Sequence, residues 1–162
     1  MQWPPKWTYD FVNVIVVNPR TKKIFLTRSY DTKQHTPFGG ELKQGEQERI
    51  GVCRKVYSET GGFLDPNPGD LIHIENMRVY PEKIGYIKMI IVTFLYVMKD
   101  TDREPDIEHQ QYEGDCKIEE IIKISIPELY QKIKLGEVIL YSNLVEILPK
   151  IEVAINGLKG QK

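Results

Sequence analysis

Between residues 40 and 62 the chain reads GELKQGEQERIGVCRKVYSETGG, and Lys55, Ser58 and Glu59 within it stand at i, i+3 and i+4, one face of a helix. Carboxylate and hydroxyl oxygens converging on such a face are the donors a hard divalent cation takes. The ammonium of Lys55 has the opposite use, as a point charge for an anionic ligand. The plainer reading is an i,i+4 ion pair between Lys55 and Glu59, worth only tenths of a kcal/mol. A second concentration of chemistry lies at 100–117, where Asp100, Asp102, Glu104, Asp106, Glu108, Glu113 and Asp115 read as a solvated loop, with a functional lid as the other reading. His35, His73 and His109 are scattered without metal-ligand spacing. Trp3, Trp7 and Tyr9 could stack on a base, although aromatic residues beside a strand ordinarily pack.

The elements that must position these residues are legible from periodicity. Ile50, Val52, Cys53, Val56 and Tyr57 recur at helical spacing and predict an amphipathic helix from Glu46 to Thr60, stopped by Gly61-Gly62. Upstream, FVNVIVV over 11–17 and Ile24 to Leu26 flank the turn residues Asn18-Pro19-Arg20 and read as a β-hairpin. Leu71 to Tyr80 and Tyr86 to Met98 read as two long strands, and Ile118 to Ile124 as a last one. Pro127 suits the first turn of a helix to about Lys134, and Ser142 suits the cap of a final helix to about Ile155.

Composition narrows the class. A chain of 162 residues is sized for a single domain over 1–162, and its 41% hydrophobic and 28% charged residues are those of a folded globular protein. With 22 basic against 23 acidic residues the net charge is −1, which disfavours extended contact with nucleic acid. Two cysteines make neither a disulfide framework nor a zinc site. The first residues lack the pattern of a secretory signal, and the longest apolar run, 84–98, is interrupted and too short for a membrane helix. The expectation is a cytoplasmic protein with no membrane association.

The 40–62 segment resembles the Nudix box, in which a glycine, five residues, a glutamate and seven residues precede Arg-Glu-aliphatic-any-Glu-Glu-any-Gly-aliphatic. Gly40, Glu46, Arg54, Val56, Glu59 and Gly61 match, while Lys55, Ser58 and Gly62 depart. The preceding Pro37-Phe38-Gly39 and the setting between a hairpin and further strands agree with it. Ile118-Glu119-Glu120-Ile121, Ile126-Pro127-Glu128-Leu129 and Gly136-Glu137-Val138 are similar to the closing strand and helix of the ADP-ribose pyrophosphatase branch. The resemblance implies an α+β fold, an α/β/α sandwich around a mixed β-sheet, and homodimers are common in that branch. It implies metal contacts from Glu59, Ser58 and the Gly39 carbonyl. Catalytic carboxylates would be Glu59, Glu46 and a loop glutamate, Glu113 first and Glu108 second. It makes Arg54 a loop support paired with Glu46, and it groups Gly39, Gly40, Lys55, Arg54 and Arg28 as ligand contacts.

In that family, cleavage of a diphosphate by water uses Mg2+ or Mn2+ to neutralise phosphoryl oxygens and acidify the attacking water. The helical face that normally carries three glutamates carries Lys55, Ser58 and Glu59 here. Exchanging a carboxylate for an ammonium changes the charge by two, and like charges ~4 Å apart repel by ~4 kcal/mol at an effective dielectric near 20. The expectation is therefore a Nudix-fold protein that binds a nucleotide or nucleoside-diphosphate-linked small molecule with hydrolysis absent or weak. The alternative is an active magnesium-dependent hydrolase of ADP-ribose-like compounds, with one ion held mainly by substrate phosphates. A third reading is a short single-stranded RNA ligand on the same fold.

Overall fold

In a computed structural model, residues 8–79, 88–106, 118–140 and 142–158 are described. The β-branched run at 11–17 lies in strand β1 (Thr8–Asn18), which turns back through Asn18-Pro19-Arg20 into β2 (Lys23–Ser29). Asn18 makes the turn twice over: its side chain accepts from the Arg20 N–H at 3.0 Å and its carbonyl from the Lys22 N–H at 2.8 Å. The predicted hairpin is present, in the register Val16↔Phe25.

Beyond that pair β1 and β2 part, and the segment His35 to Glu41 fills the wedge between them. Its first half, β3 (His35–Thr36), pairs with β2, and its second, β4 (Phe38–Glu41), pairs antiparallel with β1, Asn13 opposite Gly39 and Val12 opposite Gly40. Pro37, which has no N–H to give to a ladder, sits where the segment changes partner. Helix α1 (Glu48–Glu59) follows, then β5 (Leu71–Val79) and β6 (Lys88–Val97), an antiparallel pair, with β6 lying parallel to β1 over Thr8 to Val17. Strand β7 (Ile118–Ser125) covers the far side of β2, and helices α2 (Ile126–Lys134) and α3 (Ser142–Asn156) close the chain. Ser125 caps α2 by accepting the Glu128 N–H.

The seven strands form one mixed sheet with helices on both faces. Strand alternation makes the layers: Val12, Val14 and Val16 join Phe38, Phe94, Val52 and Val56 under α1, while Ile15 and Val17 join Ile24, Leu26, Leu95 and Ile124 under α2 and α3. This is the α/β/α sandwich expected from the resemblance. Among the described residues no helix is long and apolar enough to cross a membrane.

Helix α1 is shorter than its periodicity predicts. Glu46 is held outside it by side-chain bonds, and at the other end the Gly62 N–H turns back to the Tyr57 carbonyl, closing the last turn at Glu59. Its apolar residues also divide unevenly. Val52 and Val56, one turn apart, face the sheet, whereas Ile50 and Tyr57 lie on an outer flank, each about half exposed. Arg49 pins the helix laterally through the Leu71 carbonyl at 2.7 Å and a stack over the Phe94 ring. In the acidic stretch, Asp100 pairs with Arg20, Asp102 accepts from the Lys99 N–H and the Tyr96 hydroxyl, and Glu104 pairs with Lys123. That part is a largely exposed loop, as the solvated reading expects, with its carboxylates tied to Arg20 and Lys123 at the surface.

Candidate functional site

The wedge brings β4 under the last turns of α1, and the glycines there are required sterically. A Cβ on Gly39 would stand 2.0 Å from the Val12 carbonyl oxygen, and its φ of 149° lies where side chains are rare. The Gly39 N–H is thereby free to leave the ladder and donate to Glu59 Oε1 at 2.8 Å. Glu59 is half-buried. Burial pushes its carboxyl up to about 7, opposed by the Gly39 bond and the Lys55 charge. Lys55 lies along the next glycine: a Cβ on Gly40 would be 3.1 Å from its Cε and 3.2 Å from its Nζ. Gly39, Gly40, Lys55 and Glu59 are thus brought together, with Ser58 half-buried one residue before Glu59 on the same helix.

Glu46 belongs to a separate arrangement. Arg54 grips it with two parallel bonds, Nε to Oε2 at 2.8 Å and Nη2 to Oε1 at 3.0 Å, and the Lys43 N–H adds a third at 3.0 Å. These bonds, the Arg54 pair foremost, hold the Glu46 carboxyl down at about 2. The clamp ties the 42–47 loop to α1 and occupies the oxygens Glu46 would offer elsewhere. Arg28 stands on β2, away from this helix, against Glu119 and Glu120 of β7 at 3.5 and 3.4 Å. Glu113 and Glu108, the loop carboxylates the sequence suggests, lie outside the described residues, as do Trp3, Trp7, His109 and Cys116.

The donor set can be tested against a divalent cation. Lys55, Ser58 and Glu59 supply one carboxylate beside one ammonium, and among the described residues no three His, Cys, Asp or Glu side chains gather where they could hold a metal. This set does not fit a cation coordinated by the helix face.

Of a second polar group, only Arg28 stood out in the sequence. On the sheet face under α2 and α3, the row of Ile24 and Leu26 continues to Arg28 with His35 opposite it, and the row of Leu95 continues to Thr93. Arg28 Nε, His35 Nδ1 and Thr93 Oγ1 are buried without a hydrogen bond. Asn13 stands between Thr93 and Gly39 in the register, its Oδ1 2.9 Å from a Cβ built on Gly39. Burial and the Arg28 charge lower the His35 pKa, against a smaller opposing effect of Glu120. The readable signal was Asn13, a polar residue inside a valine run on a face otherwise apolar.

No family model and no curated protein sequence matches the chain. Solved structures do. A NUDIX hydrolase from Nitrosomonas europaea superposes with a TM-score of 0.67 at 15% identity, over 91% of this chain and 90% of that one. A MutT NUDIX hydrolase from Burkholderia pseudomallei gives 0.66 at 14% identity over 89% and 98%. A MutT protein from Methanosarcina mazei gives 0.60 at 16% over 98% and 99%. The chain has the Nudix fold.

Proposed function

We propose that the chain binds a nucleotide or a nucleoside-diphosphate-linked small molecule and hydrolyses it weakly or not at all. The observation that carries this reading is the Lys55 ammonium laid over Gly40 beside Glu59, on a face where the described residues gather no carboxylate cluster. Such a face attracts phosphate oxygens but gives little hold to the cations that activate water.

One observation favours the alternative of an active magnesium- or manganese-dependent hydrolase. Glu59 survives, and a carboxyl near 7 is poised as a general base at neutral pH. Incubation with ADP-ribose, diadenosine polyphosphates and nucleoside triphosphates, with magnesium or manganese, separates the two when product release and thermal stabilisation are followed together. Stabilisation without turnover is the expected result. Metal-dependent turnover abolished by Glu59→Gln overturns the binding reading in favour of the hydrolase.

A further inference from the structure

We propose that the connector between α2 and α3 is an acid-sensitive latch on the wedge: the Ile139 carbonyl holds the His35 N–H, and protonation of the buried His35 ring lets the connector go. The connector leaves α2 through Gly136, whose φ of 75° lets the Gly136 and Glu137 N–H groups turn back to the Ile133 and Lys132 carbonyls. Val138 then enters the core under α2 and α3, while Ile139 keeps its side chain half exposed and accepts the His35 N–H on its carbonyl at 2.8 Å. Among the described residues this is the one backbone bond between the connector and the wedge. The loop from β2 to β3 is closed by bonds of its own, from the Ser29 N–H to the Gln34 carbonyl and from the Lys33 N–H to the Ser29 carbonyl, so release stops at the connector.

The closed latch has no place for a proton on His35. The residue is 4% exposed, and its Nδ1 is buried without a hydrogen-bond partner. An imidazolium carries an N–H on both ring nitrogens, so protonation leaves a charged donor buried and unbonded. Arg28 stands opposite in the register and brings a charge of the same sign. The opposing charge is Glu120 of β7, which is engaged with Arg28 at 3.4 Å. Other charges on the adjoining loop and connector are paired elsewhere, Lys33 with Glu119 and Glu137 with Lys132. Burial first and Arg28 second therefore lower the affinity of the closed ring for a proton. Once the connector lifts, the ring meets water and takes a proton at its ordinary value of about 6.5, so falling pH favours the open form. Because β3 runs on into β4, opening frees the start of the segment that carries Gly39 and Gly40 to the candidate site. The latch itself does not rest on the ligand reading above.

The test follows the isotope-labelled full chain by NMR, reading the His35 ring titration and the exchange protection of the His35 amide, corrected for the pH dependence of exchange in free peptides. The ring midpoint should lie below about 6.5. Protection of the His35 amide should fall about three- to tenfold from pH 7.5 to pH 5.5, while that of the β6 amides holds. His35→Gln, which cannot take the proton, should give a protection independent of pH. Arg28→Gln should raise the ring midpoint and flatten the fall, which keeps the latch testable even where His35→Gln does not fold. A midpoint at or above the ordinary value, a His35 amide whose protection does not change with pH, or an equal fall in His35→Gln overturns the latch. ADP titrated at both pH values reads the consequence for the site: its affinity should drop more in the wild type than in His35→Gln. Failure of ADP to bind at either pH counts against the ligand reading alone, since the exchange measurement decides the latch without it.

Discussion

The clamp between Arg54 and Glu46 should be the most pH-sensitive stabilising contact around the box segment. The Glu46 side chain is 12% exposed and that of Arg54 23%, so solvent screens the pair only in part. Folding lowers the carboxyl from its ordinary 4.5 to about 2, which at ~1.36 kcal/mol per pH unit corresponds to at most about 3.4 kcal/mol, and partial screening reduces this to about 2 kcal/mol. The sign follows from the depressed folded value. The contribution is complete above 4.5 and falls away as the pH drops through 2, where less than about 0.5 kcal/mol remains. Glu46→Gln keeps the shape and removes the charge. At pH 7 it should lower stability by about 2 kcal/mol, or about 4–8 °C in melting temperature for a chain of this size, and near pH 2 its urea unfolding curve should approach that of the parent protein. An equal loss at both pH values, or one below about 0.5 kcal/mol at pH 7, would refute the assignment of Glu46 to a structural clamp.

Glu59 carries the opposite sign, because burial raises its carboxyl from 4.5 to about 7 and ionisation weighs against the folded state as the pH rises through that window. Glu59→Gln, which still accepts the Gly39 N–H, should raise stability by about 1–3 kcal/mol at pH 8 and leave it unchanged near pH 4 by urea unfolding; indistinguishable curves at pH 8 count against it. Gly39→Ala forces a methyl group to within 2.0 Å of the Val12 carbonyl unless β4 parts from β1. It should cost about 3 kcal/mol or more and remove the stabilisation by ADP, while a melting temperature equal to the wild type's contradicts the close approach.

The hairpin, the two long strands and the helix starting at Pro127 were legible because each rests on a local signal: Asn18-Pro19 in a turn, period-two apolar residues, proline in a first turn. The wedge of β3 and β4 was not. His35 to Glu41 contains two glycines and a proline and has no strand pattern of its own, and its pairing is imposed by the splaying of β1 from β2. For the same reason Ile50 and Tyr57 looked like core, since helical spacing does not say which flank the sheet will cover. Within the box, the Arg54–Glu46 contact was readable through resemblance alone. That Lys55 lies over Gly40 required coordinates, because a lysine's reach is set by what its backbone neighbours leave vacant. His35 looked incidental as one of three scattered histidines, and only the register opposite Arg28 gives it a place.

Strand β1 has a consequence for how the chain is made. Every residue of the box is synthesised before residue 63, yet the long edge of β1 opposite the one that carries β4 and its glycines is covered by β6, which begins at Lys88. A nascent chain ending near residue 79 would hold the complete helix and both glycines on a strand with ten exposed parallel-pairing positions, from Thr8 to Val17. Such an edge is a template for association with another chain, and a parallel pair so distant in sequence closes slowly. Chaperone dependence and aggregation during synthesis should therefore fall within the interval between translation of α1 and translation of β6, so that slowing the ribosome at codons 60–88 should lower soluble yield more than slowing it after codon 100.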